Sequence, residues 1–222
     1  MDFEIISQIL IIIGIDLVLG GDNAIVIALA SRNLPVSKRN KAIIFGTLLA
    51  IIMRILLTVM AVYLLMIPYL QLIGGLFLIW IAYKLLADNN DDPSNIKGGT
   101  TLIQAVKTIV VADIVMGFDN VLAVAGAAEG HVVLVMIGLL FSIPIIVWGS
   151  KIILHYMERF PIIIYLGAGI LAYTAGTMII NEERIQPILE SYSYGYFIIP
   201  IITILLVLIS GALKKTLTNF SS

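Results

Sequence analysis

The chain contains no cysteine and few charged residues. Because there is no thiol among the 222 residues, disulfide bonds and thiolate metal sites are excluded. Charged residues make up only 12% of the chain and the net charge is −1, so no nucleic-acid partner is expected. A nucleophile–base pair and the HExxH pattern are also missing, and we therefore do not expect an enzyme.

Apolar residues dominate the composition instead. They make up 60% of the chain and the mean hydropathy is +1.09, which indicates an integral membrane protein. Since a span needs about 20 apolar residues, we predict an all-α membrane protein with seven transmembrane helices. The predicted spans are Ile5–Ala30, Ala42–Leu65, Tyr69–Leu86, Thr101–Ala127, Val132–Ile153, Ile162–Ile180 and Tyr196–Leu213. The acidic start MDFEIIS lacks the basic region of a signal peptide, so the first segment is expected to remain as a span.

The basic residues predict the orientation. Of the 13 Lys and Arg residues, Arg184 lies on one side of the predicted topology and Arg54 lies within the second span. The others share the opposite side, and they are Arg32, Lys38, Arg39, Lys41, Lys84, Lys97, Lys107, Lys151, Arg159, Lys214 and Lys215. Because basic residues favour the cytoplasmic side, the N-terminus is predicted outside and the C-terminus in the cytoplasm.

A polar motif occurs twice within the apolar spans. DLVLGGDNAIVIALA, which starts at Asp16, matches DIVMGFDNVLAVAGA, which starts at Asp113. The match continues more weakly, since GTLLAI at Gly46 resembles GLLFSI at Gly138. These two glycines begin small-xxx-small patterns, which favour close helix packing.

The repeat predicts two three-helix units, residues 1–87 and 101–181, within one transmembrane domain. Residues 194–214 form an additional helix. IGGLFLIW at Ile73 and LGAGILAY at Leu166 provide the third matched segment. Because three spans is an odd number, the second unit must be inverted relative to the first, as in many secondary transporters.

The motif predicts broken helices. In an unbroken helix, residues six apart point about 120° away from each other, so the two Asp residues of one motif would not share a ligand. Glycine weakens a helix by about 1 kcal/mol relative to alanine. We therefore predict interruptions at Gly20, Gly21 and Gly117.

The motif residues predict a cation site. A charge at the bilayer centre costs about 2.5–3.5 kcal/mol, and four such acids need compensation. All-oxygen sites favour magnesium, calcium or manganese over zinc or copper. Arg54 is interpreted as a counter-ion or a gating partner, and one Asp that stays protonated would permit proton exchange. The alternative is that buried Asp residues cap helices or pair with Arg54. The predicted ligands are Asp16, Asp22, Asn23, Asp113, Asp119 and Asn120.

The repeated D-x5-DN motif, with Gly ahead of the second Asp, resembles the TerC family of bacterial membrane proteins over essentially the whole chain. The resemblance implies manganese export from the bacterial plasma membrane, with Mn²⁺ as the transported ion and the motif acids as ligands. It also implies a distant relation to LysE-type exporters.

Two other hypotheses remain open. In the first, the chain is a LysE-like exporter of another solute, and its Asp residues bind protons or sodium. In the second, it is a membrane factor that hands metal to secretion machinery or exported enzymes. The sequence is compatible with a homodimer and does not fix the oligomeric state.

Overall fold

A computed structural model describes residues 3–60, 67–87, 101–127, 131–190 and 194–220. Within these ranges the regular structure is helical and contains no strand, which confirms the all-α class. The predicted end of the second span at Leu65 and the loop of residues 88–100 lie outside the described residues. The helices are α1 (Phe3–Leu19), α2 (Gly21–Ser31), α3 (Val36–Val59), α4 (Leu70–Ala87), α5 (Leu102–Ala127), α6 (Val132–Arg159), α7 (Ile162–Asn181), α8 (Gln186–Glu190) and α9 (Gly195–Phe220).

Five helices in the described ranges are long and apolar enough to cross a bilayer, namely α3, α4, α6, α7 and α9. α1 and α2 together form a sixth candidate, bent by 49° where they meet. α5 is not among these candidates, although its 26 residues would extend about 39 Å at 1.5 Å per residue. The structure therefore supports a multi-pass membrane protein with five or six candidate spans, and the count of seven stays a prediction.

The outer surface of the bundle is apolar. Large hydrophobic side chains are widely exposed on it, such as Val18, Trp148 and Phe197. Leu78 and Leu171, in contrast, are fully buried in the core between the helices. Continuous apolar surface of this extent is unfavourable in water but is solvated by lipid. The exterior therefore fits a bilayer environment.

The first span is broken at Gly20, within the motif. α1 ends at Leu19 and α2 begins at Gly21, with Gly20 at φ −101° and ψ 11° between them. A Cβ on Gly20 would lie 2.5 Å from the carbonyl oxygen of Asp16 and 2.8 Å from Nδ2 of Asn23. A side chain does not fit there without displacement, so the bend depends on glycine at this position.

The interruption predicted at Gly117 is not found, because α5 is helical from Leu102 to Ala127. A single glycine weakens a helix by only about 1 kcal/mol, and a long helix packed along a neighbour compensates for that loss. α5 packs along α3 in this way. The two motifs therefore share a sequence pattern but differ in backbone continuity.

Two matched contacts join the units. A Cβ on Gly46 of α3 would lie 2.7 Å from Cδ1 of Ile109 in α5, and a Cβ on Gly138 of α6 would overlap Ile12 in α1. Each isoleucine stands four residues before the first Asp of its motif, and the two glycines are matched in the repeat. The first helix of each unit thus packs on the second helix of the other in the same register. Inversion of one unit relative to the other stays a prediction.

The third helices of the units, α4 and α7, pack on each other and on α9. A Cβ on Gly75 would lie 2.7 Å from the carbonyl oxygen of Ala175, so α4 and α7 approach each other at backbone distance. A Cβ on Gly176 would lie 2.6 Å from the backbone of α9. Thr203 Oγ1 of α9 also donates a 2.8 Å hydrogen bond to the carbonyl of Ala172. α9 therefore contacts one helix from each unit.

Glu182 ties the end of α7 to the start of α4. Its carboxylate is buried and accepts hydrogen bonds from the backbone N–H of Tyr69 at 3.1 Å and of Gln71 at 3.2 Å. Tyr69 has a φ of 62°, a left-handed conformation that is costly for a residue other than glycine. The carboxylate thus holds a strained turn and supplies acceptors for N–H groups at a helix start.

Candidate ion-binding site

Asp16, Arg54 and Asp113 form a buried ion-pair triad that joins α1, α3 and α5. Arg54 Nη1 donates to Asp16 Oδ1, and Arg54 Nη2 donates to Asp113 Oδ1. The exposed fractions are 0% for Asp16, 2% for Arg54 and 7% for Asp113. The first aspartates of the two motifs therefore meet on one guanidinium, although they are far apart in the sequence.

The triad leaves charge and hydrogen-bonding capacity unsatisfied. Two carboxylates and one guanidinium carry a net charge of −1 (−2 + 1). Oδ2 of Asp16 and Oδ2 of Asp113 are buried and have no hydrogen-bond partner among the described residues. Buried polar atoms in folded proteins are nearly always satisfied by protein, water or an ion. These two oxygens are therefore candidate positions for a further ligand.

A small cavity lies beside the triad. Its volume of about 10 Å³ is close to the minimum that holds one water molecule. Asn23, Thr47, Arg54 and Asp113 contribute polar side chains to its lining, and the remaining lining residues are apolar. Neither side-chain polar atom of Asn23 has a hydrogen-bond partner in the described part of the chain. The side-chain amide of Asn23 therefore places an uncharged potential ligand at the cavity wall.

Asp22, the second aspartate of the first motif, has a different partner. Thr174 Oγ1 of α7 donates a 3.1 Å hydrogen bond to Asp22 Oδ2. Asp22 Oδ1 is buried, and no described residue bonds to it. The cavity beside the triad is lined by Asn23 and not by Asp22. The two aspartates of the first motif thus contact different helices.

The second motif is described only in part. Asn120 is buried within α5, whereas the side chain of Asp119 lies outside the part of the chain that the structure describes. Among the described side chains, no group of three or more His, Asp or Glu residues is close enough to hold a metal ion. The four-carboxylate site therefore stays a prediction, while the meeting of Asp16 and Asp113 is observed.

Comparison with known proteins identifies the family. The sequence profile described as "Integral membrane protein TerC family" matches residues 1–218. The chain belongs to the TerC family. Its relatives include "Uncharacterized membrane protein YjbE" of Bacillus subtilis, which is 48% identical over 211 residues, 95% of this chain and 96% of YjbE.

Other relatives of this TerC-family chain come from Escherichia coli. "UPF0053 protein YegH" is 28% identical over 185 residues, which cover 74% of this chain but only 35% of YegH. "UPF0053 inner membrane protein YgdQ" is 24% identical over 189 residues, 78% of this chain and 79% of YgdQ. This chain therefore spans about a third of YegH and most of YgdQ. No solved structure matches the chain.

Two contacts of this TerC-family site were missed by the sequence analysis. Pairing of buried Asp residues with Arg54 was considered as an alternative, but the contact of one guanidinium with both Asp16 and Asp113 was not predicted. Its position in the middle of a predicted span was the available signal, because Lys84, Lys107 and Lys151 lie nearer the ends of theirs. Thr174, which donates to Asp22, gave no signal, because a threonine within an apolar helix commonly bonds only to its own helix backbone.

Proposed function

We propose that this TerC-family protein is a transporter of divalent cations and that it exports manganese across the bacterial plasma membrane. The observation that carries the proposal is the pair of buried carboxylates, Asp16 and Asp113, each of which keeps one oxygen without a partner among the described residues. A structural ion pair alone would leave these oxygens uncompensated at a cost of about 1–3 kcal/mol or more each. A cation bound between them removes that cost.

The donor chemistry supports a hard divalent ion. Asp113 and Asn23 line the same buried cavity, and Asp16 is joined to Asp113 there through Arg54. Oxygen ligands of this kind suit magnesium, calcium and manganese, and the chain has no thiol that would select a softer metal. In the proposal Asp22, Asp119 and Asn120 complete the site, and the family resemblance selects manganese among the hard cations.

The proposed mechanism is alternating access between the two three-helix units. The ion enters from the cytoplasm and binds between the units. Rocking of one unit against the other then opens the site to the outside. The bend at Gly20 permits α1 and α2 to change their angle, because the two segments are not joined by a continuous helical hydrogen-bond ladder. Exchange of a proton for the metal on one of the carboxylates would couple transport to the proton gradient.

The decisive experiment is a flux assay with the purified full chain in liposomes that contain a manganese-sensitive dye. The wild type is expected to admit Mn²⁺, while Asp16→Asn and Asp113→Asn lose most of the flux because each removes an anionic ligand. Glu183→Gln makes the same chemical change at an exposed position and serves as the matched control. Correct insertion of every variant is checked by its amount in the membrane and its monodispersity.

The outcomes separate the hypotheses. Wild-type liposomes without Mn²⁺ flux would contradict a manganese transporter. Thermal stabilisation by Mn²⁺ without flux would favour a membrane factor that hands metal to exported proteins. Stabilisation by sodium or protons alone would favour an exporter of another solute.

A further inference from the structure

We propose that the guanidinium of Arg54 is a tethered cation that occupies the substrate position between Asp16 and Asp113, and that the transported divalent ion displaces it. The inference rests on the proposed transport function and adds a competitor that belongs to the protein itself. Arg54 would therefore act on affinity and on the return of the empty carrier, beyond any contribution to folding.

The geometry of the guanidinium is that of a bridging cation. Its two terminal nitrogens each bind a carboxylate from a different unit, on α1 and on α5. A planar guanidinium offers such a fork, and it is more weakly hydrated than a lysine ammonium. A divalent ion bound by the same two carboxylates would lie against this group, because the free Oδ2 of each acid is on the same carboxylate as the Oδ1 that Arg54 holds. Arginine and ion are therefore alternatives at one position.

The motif glycines lie beside the guanidinium. A Cβ on Gly20 would lie 3.5 Å from Nη1 of Arg54, and a Cβ on Gly117 would lie 4.0 Å from its Nε. These two glycines are matched positions of the repeat and lie beside the same side chain. Both units thus border Arg54 with backbone that carries no side chain.

The second unit of the repeat has no basic residue at the position that corresponds to Arg54. When Gly46 is aligned with Gly138, Arg54 aligns with Ile146, which is buried and lines the same cavity. If Arg54 served only to neutralise Asp16 in its own unit, Asp113 would need a second cation from unit two. Instead, one guanidinium is shared, and one oxygen of each acid has no partner among the described residues.

The charges at Asp16 and Asp113 favour exchange of Arg54 for the divalent ion over binding of both cations at once. Asp16 and Asp113 with Arg54 carry −1, and the same acids with one divalent ion carry 0. With Arg54 and the ion both bound to these two acids, the two cations would be in contact. Because like charges in contact repel each other strongly in a low-dielectric interior, the two carboxylates hold one cation at a time. The empty carrier is then held closed by Arg54.

The test compares Arg54→Met with Arg54→Lys and with Arg159→Met. Arg54→Met removes the tethered charge while it keeps an extended side chain. Arg54→Lys keeps the charge but lacks the fork that bridges two carboxylates. Arg159→Met makes the same chemical change at an exposed position and serves as the matched control. Manganese binding is measured on the purified full chain from the electron paramagnetic resonance signal of free Mn²⁺, together with thermal unfolding with and without Mn²⁺ and flux in liposomes.

We expect Arg54→Met to bind Mn²⁺ more tightly than the wild type by roughly tenfold or more, the lower range of coupling between close charges. Its unfolding temperature should fall without Mn²⁺ and recover with it, because the metal replaces the lost cation. Its flux should fall, because the empty carrier has no cation with which to close. Arg54→Lys should lie between it and the wild type, and Arg159→Met should resemble the wild type.

Equal or weaker Mn²⁺ binding by folded Arg54→Met would overturn the inference and leave the transport proposal intact if the wild type binds and transports. If Arg54→Met does not insert, Arg54→Lys decides, and an affinity equal to that of the wild type overturns the inference. A loss of stability that Mn²⁺ does not restore identifies a purely structural arginine. Absence of Mn²⁺ binding and flux in the wild type and all variants overturns the proposed function itself.

Discussion

Replacement of Gly20 by alanine should damage the protein, whereas the same change at the matched Gly117 should be tolerated. An added Cβ at Gly20 would lie 2.5 Å from the carbonyl oxygen of Asp16, a backbone atom. At Gly117 it would meet nothing closer than Cδ1 of Leu57 at 3.9 Å, an ordinary van der Waals distance. The two glycines occupy matched positions of the repeat, but their surroundings in the structure differ.

The size of the effect follows from these contacts. To reach an ordinary contact of 3.4 Å, the Asp16 carbonyl would have to move by about 0.9 Å (3.4 − 2.5 Å) in a closely packed interior. That carbonyl also accepts a 2.8 Å hydrogen bond from the N–H of Gly20, which closes the last turn of α1. Overpacking of this kind costs about 1–3 kcal/mol. Alanine at Gly117 should instead stabilise α5 by up to about 1 kcal/mol.

The assay is reversible unfolding of the purified variants in detergent, followed by flux in liposomes. Gly14→Ala in α1 is the control, because an added Cβ there has no atom within 4 Å among the described residues. We expect Gly20→Ala to lose stability and flux, and the other two variants to keep both. Equal losses at Gly20 and Gly117 would refute the conclusion that the first motif is broken and the second is continuous.

Three further predictions concern other parts of the molecule. Glu182→Ala should destabilise the protein by about 2–4 kcal/mol, because N–H groups at the start of α4 lose their acceptor and the strained conformation of Tyr69 is no longer held. Thermal unfolding measures this loss, and flux per folded molecule should be unchanged. Thr174→Val should alter Mn²⁺ flux while Thr177→Val does not, because only Thr174 donates to Asp22 among the described contacts of these two side chains; equal flux in both would contradict a role for that bond. Cysteines placed at Asn90 and Tyr192 should label from opposite sides of the membrane, and labelling from one side would refute the predicted orientation.

The repeat explains how much of the architecture the sequence predicted. Ile12 and Ile109 occupy the same place in their motifs, and each contacts the matched glycine of the other unit, Gly138 or Gly46. The small-xxx-small patterns at Gly46 and Gly138 predict close helix packing, because small residues that recur every four positions lie on one face of a helix, but they do not identify the isoleucines as partners. The presence of Asp16 and Asp113 near each other follows from the same relation.

The differences between the units did not follow from the sequence. Whether glycine interrupts a helix depends on the packing of its neighbours, and the packing of α5 on α3 outweighs the weakness at Gly117. Arg54 has no counterpart in unit two, so the repeat could not predict which acids it would contact. The Thr174–Asp22 bond joins elements 152 positions apart, and no periodic pattern reports such a pair.

The break at Gly20 also creates two helix ends inside the bundle. Asp16 lies in the last turn of α1, where free carbonyl groups carry partial negative charge, and Asp22 lies in the first turn of α2, where free N–H groups carry partial positive charge. A carboxylate is disfavoured at the first of these positions and favoured at the second, by about 0.3–1 kcal/mol at an exposed end and more when buried.

In the continuous α5, Asp113 stands in the helix interior and neither helix end acts on it. The carboxyl groups of Asp16, Asp22 and Asp113 therefore experience three different backbone fields. The ionised form of Asp16 therefore needs a positive charge from another part of the protein or from an ion most, and that of Asp22 needs it least. In the proposed mechanism, Asp22 would therefore release the ion first, because its own helix already stabilises its negative charge.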